Sequence, residues 1–383
     1  MKTQYIENVV MVAGEASGDQ HGAHVIRALQ KRHRDITIRG AGGEAMRMAG
    51  AETIVDAREL SVMGFTAVFL KAPQILRAMS RLKRLIARSR PDLLILIDFP
   101  DFNLHLAGYA KKMGVPVLYY ISPQVWAWRS GRLRKIKRRV DHMAVILPFE
   151  KSIYERHNMP VTFVGHPLMD AAPQHPGTKK PAPSIENQAV ALLPGSRESE
   201  VNRLLPEMLK AAQIMQEGNR RIRFEISRAP SIDEQMLRAY VNQHAIANYK
   251  IVAEPVYTIF ERCDLAIVAS GTASLEAAIF GIPTIIVYST SAFNYWLGKR
   301  LVSVPHIGLA NLIAEDRVIP ELVQNEASAT SIATAAKKLM ENPDAYQKMQ
   351  DEMTAIRKRL GHTGASERVA EIACRLTGCR CAV

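Results

Sequence analysis

The sequence predicts an α/β protein made of two doubly wound, parallel-sheet domains. Three observations carry this expectation. Short apolar runs alternate with amphipathic stretches, and the alternation halts in a proline-rich interval before it restarts. The length of 383 residues suits two domains of roughly 100–200 residues each. Runs that are apolar at every position belong to strands covered by helices on both faces, as in parallel sheets.

Taken in order, the first half offers strands at NVVMVA (8–13), ITIRG (36–40), LLILI (93–97), VPVLYYI (115–121), MAVIL (143–147) and VTFVG (161–165). Helical periodicity lies between them, around 18–33, 71–89, 103–113 and 148–157. From Pro167 to Gln188, five prolines with Gly177, Lys179 and Lys180 leave no periodic apolar face, which reads as a linker. The pattern resumes with AVALLP (189–194), IRFEIS (222–227), KIVA (250–253), LAIVAS (265–270) and PTIIVY (283–288). The stretch 326–378 reads as helical throughout. Two such domains imply a crevice, and ligands of open α/β sheets bind beyond the carboxyl ends of the strands.

Composition narrows the classes. No apolar run approaches the ~18–20 residues of a membrane span, and Glu7 and Asn8 interrupt the N-terminal apolar stretch, so no signal-peptide layout is read. Cys263 stands alone while Cys374, Cys379 and Cys381 crowd the end, without zinc-site spacing. These are expected to be free thiols in a reducing, cytoplasmic compartment. The formal charge of +13 gathers around Arg77–Arg90 and Arg129–Arg139. Such patches attract nucleic acid, anionic lipid or phosphorylated substrates, unless they are simply solvated helix faces. No nucleic-acid-binding signature accompanies them, so nucleic acid is not expected as a partner.

The loops that follow the strands hold the chemistry. Gly14-Glu15-Ala16-Ser17-Gly18-Asp19 permits a tight turn and close ligand approach, with Ser17 or Asp19 available to cap the next helix. It is not a dinucleotide fingerprint. After LLILI, Asp98 stands at the end of a buried strand, where desolvation suits a carboxylate to act as a base; a turn-forming Asp is the mundane alternative. Asp101 is a candidate cap for the following helix. Gly195, Ser196 and Arg197 at a helix start form an anion site, with the arginine fork suited to phosphate oxygens. Ser270, Gly271, Thr272 and Ala273 open another helix as a phosphate cradle, and Glu276 is placed to accept bonds from ribose hydroxyls. No metal motif is present, the histidines (His166 included) read as surface or hydrogen-bonded groups, and no cofactor is expected. The apolar segment Leu60–Leu70, running into the first basic helix, is either core or a membrane-dipping element. The indoles of Trp126 and Trp128 are likewise either interfacial or packed in the crevice.

The ordered set VAGEASGD (12–19), ELSVMGF (59–65), IDFPDFN (97–103), SPQVWAWR (122–129), LPFEK (147–151), GHPLMDA (165–171), LLPGSRESEV (192–201), ASGTASLEA (269–277), WLGKRLV (296–302) and LANLIAE (309–315) resembles the lipid-A-disaccharide synthase family over essentially the whole chain. The resemblance implies a GT-B fold: an N-terminal Rossmann-like domain over 1–170, a linker at 171–188, a UDP-sugar domain over 189–345, and C-terminal helices over 346–383 returning to the first domain. It implies an inverting glycosyltransferase that moves 2,3-diacylglucosamine from its UDP derivative to the 6-hydroxyl of 2,3-diacylglucosamine 1-phosphate, forming a β-1,6 disaccharide and UDP.

Under that reading Asp98 is the base, and Gly195, Ser196, Arg197 and Ser270–Ala273 hold the diphosphate without a metal. Glu276 takes the ribose, while Glu15, Ser17 and Asn311 line the acceptor or reacting sugar. The family usually has proline before that asparagine, where this chain has Ala310. Val62, Met63, Phe65, Val68, Phe69 and Leu70 are expected to touch the anionic inner membrane, making the enzyme cytoplasmic and peripheral. A homodimer through the cysteine-bearing tail is compatible with the sequence. The alternative is another GT-B enzyme of UDP-N-acetylglucosamine, a peptidoglycan-type transferase or a 2-epimerase.

Overall fold

A computed structural model describes residues 5–60, 65–126, 131–172, 181–184, 186, 188–291, 295–296, 300 and 305–379, without the side chains of 65–71 and 171. The chain divides into two compact units, one of Met1–Asp170 with Gly361–Val383 and one of Ala171–Leu360.

The first unit holds a seven-stranded sheet of β1 Asn8–Ala13, β2 Thr37–Gly42, β3 Glu52–Asp56, β4 Leu93–Ile97, β5 Val117–Tyr120, β6 His142–Val145 and β7 Val161–Phe163. Its order is β3-β2-β1-β4-β5-β6-β7 and every pairing is parallel. The second unit holds β8 Ala189–Leu193, β9 Arg223–Ser227, β10 Tyr249–Val252, β11 Leu265–Ala269, β12 Thr284–Tyr288 and β13 Glu321–Val323 in the order β10-β9-β8-β11-β12-β13, again all parallel. In each sheet the winding reverses between the first strand and the fourth, so the loops leaving those two neighbours part to opposite faces and open a crevice at their carboxyl ends.

Alternation along the strands explains why they read as unbroken apolar runs. Val10, Val12, Leu94 and Leu96 face the helix Phe65–Ser89 through its Ala78, Leu82 and Ile86. Val9, Met11, Leu93 and Ile95 face the opposite way, onto Val25, Ile26 and Leu29 of the helix Ala16–Arg32 and Val369, Ile372 and Ala373 of the helix Ala365–Thr377. Side chains two apart share a face, so a strand buried on both faces needs an apolar residue at each position.

Two strands escaped the sequence pattern, β3 (ETIVD) and β13 (ELV). Both are edge strands, and their charged and half-exposed positions break the apolar run. The tail also differs from expectation. It comprises the helices Ala329–Met340, Pro343–Arg359 and Ala365–Thr377, separated at an Asn342 cap with Pro343 at N1 and at Gly361 and Gly364, both with positive φ. The helix Pro343–Arg359 belongs to the second unit: the Tyr346 hydroxyl donates to the Asp264 carbonyl at 2.7 Å and Arg357 to the Ile279 carbonyl at 2.8 Å. The return to the first unit thus begins at Gly361 rather than at 346.

Asp19 caps a helix, but not its own. From inside the helix Ala16–Arg32 its buried carboxylate accepts the backbone N–H groups of Gly43 (2.6 Å), Ala45 (2.9 Å) and Met46 (3.1 Å), at the start of the helix Glu44–Met48. It thereby ties the loop after β2 to the helix after β1. Asp19→Ala strands three amide donors, and we expect a loss of about 2 kcal/mol of stability. Urea unfolding followed by circular dichroism measures this; an unchanged midpoint would show that the cap is dispensable.

Candidate active site

In the first unit the switch point lies between β1 and β4, and the loops leaving them bring Glu15 and Asp98 together. Asp98 and Phe99 are consecutive left-handed residues, at φ +46° and +51°. Non-glycine residues in that conformation each cost about 1–2 kcal/mol, so something must hold them. The Tyr119 hydroxyl donates to the Asp98 carbonyl at 2.6 Å and the Asn103 amide donates to it at 2.7 Å. Asn103 also reaches the Ile97 carbonyl at 3.2 Å, and both Tyr119 and Asn103 are wholly buried. The Phe99 ring then lies against Gly14, where a Cβ would come within 2.5 Å of ring carbons, so only glycine fits.

Burial pushes the Asp98 carboxyl up to about 6, the Glu15 carboxylate adds to the rise, and the Phe99 N–H opposes it. Asp98 is thus a carboxyl poised near neutrality. Asp101 departs from expectation: Phe99 takes the N-cap position without a side-chain cap, and exposed Asp101 ion-pairs with Arg132.

Ser17 is exposed in the first turn of the helix after Glu15. A recess of about 380 Å³ beside it is lined by Glu15, Asp19, Glu44, Arg47, Asp56 and Arg58. Hydrogen bonds from Arg58, with Arg47 assisting, hold Asp56 well below the usual carboxylate range. Of the histidines here, His166 is buried and hydrogen-bonded, its Nδ1 accepting the Leu168 N–H at 3.2 Å, and His21 is half-buried. Burial lowers His21 to about 4 and His166 to about 3, each further depressed by a neighbouring histidine, so both are neutral. Trp126 is turned inward, donating to Glu150 Oε1 at 3.1 Å and meeting the Phe149 ring edge-on. Burial raises Glu150 to about 7, a carboxyl the sequence reading missed. Trp128 lies outside the described residues.

In the second unit the same logic places Gly195–Arg197 after β8 and Ser270–Ala273 after β11, on either side of the reversal. Gly195 has φ +114°, and a Cβ there would sit 2.5 Å from the Glu200 carboxylate. Arg197, exposed, is ion-paired to that Glu200 at 2.7 Å, and the Ser196 carbonyl accepts the Ser231 hydroxyl. The helix Thr272–Phe280 starts from exposed Gly271, around which a Cβ would meet nothing, and buried Ser274 closes onto the Gly271 carbonyl at 2.7 Å. This turn presents open backbone, the form an anion cradle takes.

Burial raises the Glu276 carboxyl. It faces Tyr257, whose hydroxyl is buried without a protein partner and whose acidity is suppressed by burial and by that carboxylate. Sequence reading did not single out Tyr257, because an isolated tyrosine in a helix reads as core.

Asn311 requires a correction. It is fully buried, its amide nitrogen donating to the Ile319 carbonyl (2.8 Å) and Glu321 (2.7 Å), its oxygen accepting the N–H groups of Val318 (3.1 Å) and Ile319 (2.9 Å). Every hydrogen-bonding position is used internally. Asn311 clamps Glu321, which in turn accepts the N–H groups of Ile307 and Gly308, and it does not line a sugar site. Of the residues expected at the membrane, Val62 and Met63 lie outside the described residues. Phe65, Val68, Phe69 and Leu70 fall on the helix Phe65–Ser89, but their side chains lie outside the description. Among the described residues no helix is long and apolar enough to cross a membrane.

A family model described as lipid-A-disaccharide synthetase matches residues 9–375. Lipid-A-disaccharide synthase of Syntrophus aciditrophicus is 45% identical over 372 residues, covering 96% of this chain and 97% of the relative. That of Geobacter metallireducens is 41% identical over 382 residues, covering 99% of each. Among solved structures, UDP-GlcNAc 2-epimerase from Neisseria meningitidis, bound to UDP-GlcNAc, aligns at TM-score 0.64 with 14% identity, covering 96% of this chain and 100% of that one. The calicheamicin glycosyltransferase CalG4 aligns at TM-score 0.64 with 13% identity, covering 97% and 98%. The structural likenesses establish the GT-B type of fold, two parallel-sheet α/β domains, and leave the chemistry to the sequence relatives. With the family model spanning nearly the whole chain, this protein belongs to the lipid-A-disaccharide synthase family of glycosyltransferases.

Proposed function

We propose that the reaction is a single displacement in which 2,3-diacylglucosamine passes from its UDP derivative to the 6-hydroxyl of 2,3-diacylglucosamine 1-phosphate. The acceptor oxygen attacks the anomeric carbon, the bond from that carbon to the diphosphate breaks, and its electron pair leaves on UDP. The configuration inverts from α to β. The observation that carries this reading is Asp98, a carboxyl raised to about 6 by burial and by Glu15 at a strained strand end. It takes the hydroxyl proton as the new bond forms, a role that needs a pKa near the working pH.

Departure of UDP is assisted from the second unit. Gly195, Ser196 and Ser270–Ala273 supply helix N-termini and open backbone to the diphosphate, and Arg197 adds the charge. Glu200 holds one nitrogen of Arg197, so diphosphate competes with that carboxylate for the guanidinium. Glu276 receives the ribose hydroxyls. Glu15, Ser17 and the recess with Arg47 and Arg58 lie where the acceptor is to be held. Because both substrates are acylated, the protein works at the cytoplasmic face of the inner membrane, approached through the segment 62–70.

Two tests follow from these assignments. Asp98→Asn is expected to lower kcat by about 10²–10⁴-fold, and wild-type kcat/KM should climb as pH rises through about 6, where Asp98 ionises, then level off. Glu15→Gln removes a neighbouring negative charge, lowers the pKa of Asp98, and shifts that rise to lower pH. A profile without an inflection near 6, or one unmoved in Glu15→Gln, removes Asp98 from the role. For the leaving group, Arg197→Ala should weaken UDP binding by about tenfold or more, whereas Glu200→Gln, which frees the guanidinium, should strengthen it. Calorimetric titration of UDP decides, and equal affinity in all three proteins would refute the exchange.

A further inference from the structure

Away from the strand ends that serve transfer, toward the amino-terminal side of the first unit's sheet, lies a recess of about 430 Å³. Its walls are Asn8 at the start of β1, Arg39 and Ile54 of β2 and β3, and Arg81, Arg84, Leu85, Arg88 and Ser89 of the helix Phe65–Ser89. Arg81, Arg84 and Arg88 follow at intervals of three and four, which align them on one helix face. Four guanidinium groups therefore share one hollow, and their permanent charges repel.

Little in the protein offsets that repulsion. Glu59 pairs with Arg81 at 3.1 Å, and Arg81 also meets the Ile54 carbonyl. Among the described residues Arg84 touches only the Ser80 carbonyl, at 3.4 Å. Arg39 reaches Asn8 Oδ1 at 3.4 Å, while its buried Nε has no acceptor. Arg88 has no carboxylate partner among the described residues. Asp92, which follows the helix, is occupied by the N–H groups of Glu7 and Asn8. A group of permanent positive charges with little to offset it, in a hollow with room for several waters at about 30 Å³ each, is the condition a bound anion relieves.

We infer that this recess binds a phosphate group, held by the forks of Arg39, Arg84 and Arg88. A tetrahedral dianion presents several acceptor oxygens at once and so satisfies guanidinium forks arriving from a strand and a helix together. The group is either free phosphate with its soluble esters or the headgroup phosphate of an anionic lipid. None of these residues belongs to the loops assigned to transfer, so the inference stands or falls separately from the reaction.

The test uses the full-length protein in two arms at constant ionic strength. Calorimetric titration with inorganic phosphate compares wild type with Arg88→Gln, an exposed change that leaves folding intact, and with Arg39→Gln/Arg88→Gln. Flotation with phosphatidylglycerol vesicles, against phosphatidylcholine vesicles, compares the same proteins. The expected result is a loss of at least fivefold in Arg88→Gln and tenfold in the double variant, with UDP affinity unchanged. Loss in the phosphate arm alone identifies a soluble phosphate as ligand, and loss in the vesicle arm, a lipid headgroup. If neither phosphate nor anionic-vesicle binding depends on Arg39 and Arg88, the recess is not a phosphate site.

Discussion

The reversal of winding in a parallel sheet is the constraint on which the rest depends. Each sheet grows outward from a central strand, β1 or β8, and the chain must then cross back to lay β4 or β11 on its other side. Apart from Asn8 at the start of β1, the paired central strands β1, β4, β8 and β11 are apolar and buried at every position, so no catalytic group fits within them. Chemistry is therefore exported to the first residues beyond their carboxyl ends, where the backbone leaves the sheet in diverging directions. Glu15 and Asp98 in one unit, and Arg197 and the Ser270–Ala273 turn in the other, occupy equivalent places for that reason.

In the proposed reaction the two units use the position differently. In the first, side chains do the work, and backbone strain is accepted to place them: Asp98 and Phe99 are left-handed, and the buried Tyr119 and Asn103 stand beneath them with their polar atoms turned onto one carbonyl. Burial of the carboxyl together with the neighbouring Glu15 carboxylate is why its proton is held to about 6. In the second unit the backbone does the work. Gly195 and Gly271 admit no side chain or need none, and the cationic residue nearby is kept neutralised by Glu200. An acid that must stay poised and a cradle that must stay open call for opposite solutions on the same scaffold.

The sequence made legible whatever is periodic or local. The central strands β4, β5, β8 and β11 showed as apolar runs because burial on both faces leaves no room for polar positions, whereas the edge strands β3 and β13 carry charges. The glycine turns and Asp98 were readable because they directly follow such runs. What could not be read depends on contacts distant in sequence. Asp19 looked like a cap for its own helix and instead caps one 25 residues on, since its carboxylate is turned toward the loop after β2. Asn311 sits in a stretch resembling the family and reads as a ligand, yet all four of its hydrogen bonds go to Val318, Ile319 and Glu321. Tyr257 and Glu150 gain their character only from burial beside Glu276 and Trp126.

In the first unit the cations near the carboxyl ends are committed to other acids than Asp98: Arg47 and Arg58 pair with Asp56 and Arg132 with Asp101, while Arg39, Arg84 and Arg88 collect toward the amino ends. Had the arginines approached Asp98, Coulomb attraction would have lowered its pKa and left a carboxylate too weak to take a proton. Screening shortens the reach of exposed charges to about 8 Å at physiological salt, less than the length of these strands. The excess of lysine and arginine in the composition and the raised proton affinity of one aspartate are compatible because some arginines lie toward the far ends of the strands, while those at its own end are ion-paired to Asp56 and Asp101.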